Sequence, residues 1–128
     1  MLERIGTLKM AGALTEHAVQ RQKLIAQNVA NADTPGFRAR DLSDFADTYR
    51  SQVSAGMRAT RPNHVTGISW GGGQRIQDTG GESAPNGNTV SVEDEMFRIA
   101  SARREFDLSL TVTRSAMSLI RTSIGRRG

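Results

Sequence analysis

The stretch AQNVANADTPGFRARD, residues 26–41, opens with helix-forming residues and then meets a Pro-Gly pair. Pro35 holds φ at about −65°, which suits the second position of a β-turn, and Gly36 can adopt the positive φ that the third position of a type II turn requires. Asn31 and Asp33 can hydrogen-bond to nearby backbone groups and close a helix end. The stretch therefore predicts that a helix ends here in a type II turn. An ordinary helix terminator is the simplest interpretation, although a single Pro-Gly pair would be enough for that purpose.

The residues before the turn predict a long first helix. Residues 2–31 contain no proline, and their apolar side chains recur at intervals of three and four. Two adjacent apolar stripes are present, which indicates that the helix contacts more than one neighbour. The first stripe contains Ile5, Leu8, Val19, Ala26 and Val29, and the second contains Leu14, Ala18, Ile25 and Ala32.

The C-terminal region, residues 91–125, predicts a second and longer helix. Its apolar residues recur in alternating steps of four and three, with two exceptions, which is the heptad pattern of a coiled-coil seam. Ser91 can cap the start of the helix, with Asp94 three residues later, and Gly125 is a suitable stop. The helix would be about 50 Å long, far beyond the radius of gyration of about 14 Å for a compact chain of this size, which indicates assembly. The predicted seam consists of Val92, Met96, Ile99, Phe106, Leu110, Met117, Ile120 and Ile124.

The segment between the helices, residues 34–90, is predicted as the turn, an extended segment and a flexible loop. Seven glycines fall within residues 67–88, and two prolines exclude a continuous helix. The pattern is compatible with one short β-hairpin, in which residues 65–70 pair with residues 74–78 across a glycine triplet.

Together these segments predict a mainly α fold. The long N- and C-terminal helices should pack as an antiparallel coiled-coil-like hairpin, joined by the glycine-rich irregular middle. The predicted divisions are an N-terminal helix (1–33), the middle (34–90) and a C-terminal heptad helix (91–128). Because the chain has only 128 residues and is 37% hydrophobic, its own core is small, and neighbouring chains are expected to complete it.

The composition argues against several functional classes. The sequence has no cysteine, and the spacing of its two histidines, His17 and His64, does not suit ligands, so no metal site is predicted. Neither a nucleophile–base pair nor a phosphate loop is recognisable, so neither an enzyme nor a cofactor is predicted. No apolar run approaches the ~20 residues of a membrane span, and the first residues lack the pattern of a cleaved signal peptide.

Three further features have a functional and a simpler interpretation. His17 is flanked by Glu16 and by Gln20–Arg21 and is interpreted as a solvated helix residue. The aspartates Asp41, Asp44 and Asp47 are spaced by three and could bind a cation, but neighbouring arginines favour a solvated amphipathic segment. Trp70 either anchors the loop locally or contacts another subunit.

The string NVANADTPGF, residues 28–37, resembles the N-terminal signature of bacterial flagellar rod and hook proteins. Its Ala-Asp before Thr-Pro-Gly, and the RARDL that follows, are similar to the proximal-rod members in particular. Two more segments match in order: TRPNHV, residues 60–65, and NGNTV with the acidic helix start behind it, residues 86–96. Arg61 departs from the pattern, since histidine is common there.

The resemblance implies a structural subunit of the flagellar basal-body rod, which assembles helically, transmits torque and lines the export channel. Its partners would be itself, other rod subunits, and the adaptor, membrane-ring and export-gate proteins at the rod base. The chain would reach the periplasmic rod through the flagellar type III export apparatus without a cleaved signal peptide. The implied assembly motif consists of Asn28, Asn31, Asp33, Thr34, Pro35, Gly36 and Phe37.

Two alternatives remain open from the sequence. A net charge of +4 suits a basic helical nucleic-acid-binding protein, although acidic residues are interspersed among the basic ones. A different rod subunit of the same family is the second alternative.

Overall fold

Two long antiparallel helices dominate the fold in the computed structural model, which describes residues 2–57 and 75–125. In chain order the elements are α1 (Leu2–Ala30), β1 (Arg40–Leu42), α2 (Phe45–Met57), β2 (Ile76–Asp78) and α3 (Val92–Gly125). At one end of the hairpin Arg4 of α1 donates to the Leu119 carbonyl of α3, and at the other end Asn28 donates to Glu95. The prediction of a mainly α fold with long N- and C-terminal helices is confirmed. None of the described helices has the length and apolar character needed to cross a membrane.

Small and polar residues fill the contact between α1 and α3. The buried residues of α3 recur every seven positions: Glu95, Ala102, Ser109 and Ala116. The buried residues of α1 are Ala11, Ala13, His17, Ala18, Leu24, Ile25 and Asn28. Short side chains at such a contact allow two helix axes to approach closely. The interior of the hairpin is therefore narrow and holds few large apolar groups.

A two-stranded antiparallel sheet lies beside the hairpin. In its register Asp41 faces Gln77, and backbone hydrogen bonds continue the pairing beyond the strands, from Ser43 to Arg75 and from Thr79 to Ala39. A small sheet in the middle of the chain is thus confirmed, but the strand in 74–78 pairs with β1. The partner expected from the sequence, residues 65–70, lies outside the described residues.

The helix α2 was not predicted from the sequence, which was interpreted as extended and loop through this region. Its first turn is closed by Thr48, whose backbone N–H and hydroxyl both donate to the Asp44 carbonyl. The rings of Phe45 and Tyr49, one turn apart, stack with centroids 5.7 Å apart. These (i, i+4) contacts are local, but too few apolar residues mark the helix face for the pattern to stand out. The match at 60–65 and Trp70 lie outside the described residues.

Candidate assembly site

The end of α1 adopts the turn that its sequence predicts. The Phe37 N–H donates to the Thr34 carbonyl at 3.2 Å, and Gly36 has a φ of 73°. A positive φ at the third position is the mark of a type II turn, so this prediction is confirmed. Asn31 closes the helix end with its side chain, which donates to the Gln27 carbonyl at 2.8 Å and accepts from the Thr34 hydroxyl.

Asn88, from the segment just before α3, binds this turn. Its side-chain amide donates to the carbonyl oxygens of three residues at the turn, at 2.9, 2.9 and 2.7 Å, which are those of Asn31, Ala32 and Thr34. Its Oδ1 accepts from the backbone of Val90 at 2.7 Å. The last carbonyls of a helix have no partner within the helix, so a buried amide placed there supplies the missing donor. Asn88 is only 3% exposed and thus acts as a C-terminal cap from a distant part of the chain.

Backbone contacts extend this junction on both sides. Gly36 donates to the Asn86 carbonyl at 2.9 Å, and the Thr89 N–H donates to the Phe37 carbonyl at 3.0 Å. The Thr89 hydroxyl accepts from the backbone of Ala39 at 2.8 Å. We call residues 31–39 and 86–89 together the clasp. It joins the two segments that resembled the family signature, which are far apart in the sequence.

Asn28 fixes the first residue of β1 to the hairpin. Its Oδ1 accepts from the Arg40 N–H at 3.1 Å, and its Nδ2 donates to the Arg40 carbonyl at 2.8 Å, in the manner of a neighbouring strand. The same Nδ2 donates to Glu95 of α3 at 3.2 Å. Both amide hydrogens are therefore used, and this almost fully buried side chain joins three elements.

A charge network surrounds the start of β1. Asp41 accepts from Arg21 of α1 at 3.1 Å and lies 3.9 Å from Arg98 of α3, so it is not the solvated residue expected from the sequence. Arg98 also pairs with Glu95, which is fully buried. The second carboxylate oxygen of Glu95 has no hydrogen-bond partner among the described residues. The network links the start of β1 to both long helices.

His17 is also buried, contrary to its interpretation as a solvated residue. It is 2% exposed, with Nδ1 3.1 Å from Glu105 and Nε2 2.9 Å from the Ser43 carbonyl. Burial lowers the pKa of the imidazole, but the hydrogen bonds to Glu105 and Ser43 and the carboxylate charge together outweigh it, so the pKa is raised. Glu16 and Gln20–Arg21 nearby in the sequence are polar, and no local pattern indicates partners from other elements.

The predicted seam residues of α3 are not its most buried residues. Each buried position from Glu95 to Ala116 directly precedes a position of the predicted heptad, and one residue turns a helix by about 100°. The other seam positions from Ile99 to Ile120 lie four residues after a buried position, about 40° around the helix, so the predicted seam runs beside the buried row. Phe106, Leu110 and Ile120 are half-buried, and the exposed members are Val92, Met96, Ile99, Met117 and Ile124.

The members of the assembly motif differ in exposure. Asp33 is exposed, and its side chain makes no hydrogen bond within the described part of the chain. Phe37 is half-buried and is held by its backbone. Pro35 is exposed within the turn, while Asn28 is enclosed. The structure thus includes most of the motif in the clasp, with the side chains of Asp33, Thr34 and Pro35 exposed and that of Phe37 half-buried.

Comparison with known proteins identifies the class to which this hairpin belongs. The model of the family described as "Flagella basal body rod protein" matches residues 11–38, which cover the second half of α1 and the turn. The flagellar basal body rod protein FlgB of Escherichia coli is 32% identical over 72% of this chain and 73% of its own length. Those of Salmonella typhimurium and Agrobacterium fabrum are 28% and 26% identical and cover 91% and 98% of the chain, and 92% and 97% of their own lengths. The molecule is a structural subunit of the flagellar basal body rod. Within that class, the chain belongs to the FlgB family.

Proposed function

We propose that this chain is a proximal-rod subunit that assembles helically, transmits torque and lines the export channel. The observation that carries this proposal is the apolar stripe on α3 described above. Met96 is 66% exposed and Ile124 is 60% exposed, while the interior of the hairpin is occupied by small and polar residues. A row of large apolar side chains along a helix of 34 residues, about 50 Å, suits a contact with neighbouring subunits.

The first helix supports the same arrangement. Its stripe of Ile5, Val19 and Val29 is exposed, whereas Ala18 and Ile25 of the other stripe are buried in the hairpin. Covering the exposed part of each large apolar side chain would contribute on the order of 1 kcal/mol. Contacts between different faces of identical subunits do not close on themselves in general, and so they produce a helical filament.

In this proposal the assembly motif acts through the clasp, which orients the chain after α1 for contact with a neighbouring subunit. The clasp sets the direction in which the chain leaves α1 and fixes the segment before β1 against α3. Phe37 then presents part of its ring to a neighbouring subunit. Phe37→Ala chains that built normal rods would contradict this role for the ring.

The remaining expectations follow from family membership. The relatives are named as basal body rod proteins, which supports a position in the periplasmic rod and assembly with other rod subunits. We further propose export through the type III apparatus, contact with adaptor, ring and export-gate proteins at the rod base, and no catalytic activity. The comparisons contain nothing that favours nucleic-acid binding.

The test is mass spectrometry of basal bodies that have been extracted with detergent and stripped of their filaments with acid. We expect this chain at a reproducible ratio to the other rod subunits, and its loss together with the rod in a strain lacking its gene. Intact basal bodies without the chain would overturn the proposal. In that case, DNA affinity as a function of salt concentration would be the next measurement.

A further inference from the structure

His17 occupies the point where three parts of the fold meet. It projects from α1, its Nδ1 lies 3.1 Å from Glu105 of α3, and its Nε2 lies 2.9 Å from the carbonyl of Ser43, between β1 and α2. The Phe45 ring, at the start of α2, meets the imidazole edge-to-face with centroids 5.5 Å apart. With 2% of its surface exposed, the ring has almost no access to water that could replace these partners.

The two partners of the imidazole are both hydrogen-bond acceptors. A carboxylate oxygen and a backbone carbonyl can only accept, whereas a neutral imidazole carries one N–H. Only the doubly protonated ring can donate to Glu105 and Ser43 at the same time. Loss of one proton therefore leaves one buried acceptor facing a bare nitrogen lone pair.

The charged groups near His17 lie on α3, α1 and β1. Glu105 of α3 favours the protonated ring, and Arg21, one turn further along α1, opposes it. Arg21 is itself paired with Asp41 of β1, which partly offsets its charge. From α2, the neighbour is the uncharged Phe45.

We propose that His17 and its contacts to Glu105 and Ser43 form a pH-sensitive latch. The protonated imidazole holds the start of α2 against the helical hairpin, and deprotonation releases it. Glu105 holds the imidazolium from the hairpin side. The Ser43 carbonyl, a neutral acceptor, is the weaker partner, so it is the contact that opens.

The sign of the effect follows from the raised pKa of His17. The folded state keeps its proton to a higher pH than the open state, whose histidine has a pKa of about 6.5. The latch is therefore fully closed below that value, and its contribution is lost as pH rises through the raised pKa. Between pH 6.5 and the raised pKa of the folded state, the equilibrium constant for opening should increase up to about tenfold per pH unit.

The experiment uses the full chain with isotope labels. The titration of both histidines is followed by NMR, and amide hydrogen exchange is followed across pH with the intrinsic exchange rates divided out. His64→Gln removes the other imidazole signal and serves as the matched control, which should keep the full pH response. Glu105→Gln should move both the titration of His17 and the release of α2 to lower pH.

We expect a titration midpoint for His17 above 6.5, with protection at Ser43 and in α2 falling at the same midpoint while α1 and α3 stay protected. His17→Gln should remove this pH step. A midpoint at or below 6.5 in the unsubstituted chain, including one caused by an unfolded N-terminal helix, would overturn the proposal. So would α2 protection that does not change through the titration.

Discussion

Gly87 packs directly against Gly36. A Cβ atom added to Gly87 would lie 3.4 Å from the Gly36 Cα, and both residues have positive φ, 84° and 73°. The turn after α1 and the loop before α3 therefore approach each other through two glycine backbones. This contact brings the Asn88 amide within reach of the turn carbonyls, so the geometry of the clasp depends on it.

Gly87→Ala should destabilise the isolated chain. The positive φ at Gly87 costs a residue with a Cβ about 1–2 kcal/mol, while the added methyl group lies at an ordinary van der Waals distance from the turn. The measurement is the free energy of unfolding from urea denaturation followed by circular dichroism. Gly12→Ala is the matched control, because Gly12 lies inside α1 with no atom near its missing Cβ, and the change should stabilise the helix by up to about 1 kcal/mol. Equal effects at both glycines would contradict the backbone strain expected for alanine at position 87.

Asn88→Asp should be more damaging than Asn88→Ala. Alanine removes the donors of these partly buried hydrogen bonds at a cost of about 1–3 kcal/mol, while aspartate also directs a carboxylate at the same carbonyl oxygens. Asn31→Ala should cost less, since the amide of Asn31 is bound in an exposed position where water can replace it. Chemical denaturation of the three variants gives the order. An aspartate variant as stable as the parent chain would contradict the cap assigned to Asn88.

Asp41→Asn should loosen β1 from the hairpin. It removes the charge that pairs with Arg21 and Arg98, both mostly shielded from solvent, and should cost about 1–3 kcal/mol. Asp78→Asn is the control: Arg38 and a backbone hydrogen bond lower the pKa of Asp78, but that pair lies in water and should contribute little. Hydrogen exchange at β1 measures the effect. Similar exchange in the two variants would show that the buried network does not hold the strand.

Met117→Glu should block rod assembly without unfolding the subunit. Met117 is 45% exposed on the apolar stripe, so a charge there is solvated in the free chain but would be buried between subunits. Ser118→Glu places the same charge on the adjacent exposed position, about 100° around the helix. We expect motility and rod recovery to be lost only in the first variant, with unfolding free energies within about 0.5 kcal/mol of the parent chain. Normal rods with Met117→Glu would contradict the assignment of the seam.

Local patterns predicted the helices and the turn well. The run of residues without proline up to Ala30, the capping sequence at Ser91 and the Pro-Gly pair all act within a few residues, and the helices and turn follow them. The helix α2 was missed because its supporting contacts are few. The strand in 74–78 was placed correctly, but its pairing partner was not. A local sequence pattern can indicate a strand, but it does not show which other strand pairs with it.

The sequence by itself determined where the long helices begin and end, how α1 terminates, and that α3 carries a continuous apolar stripe. These properties depend on backbone propensity and on spacing along one helix. Only the tertiary structure decided which face of α3 meets α1, since periodicity defines a stripe and not what covers it. The same holds for the cap of Asn88 on Asn31 and the pairing of His17 with Glu105, whose partners are 57 and 88 residues apart. Such contacts depend on how the helices pack, which no local pattern contains.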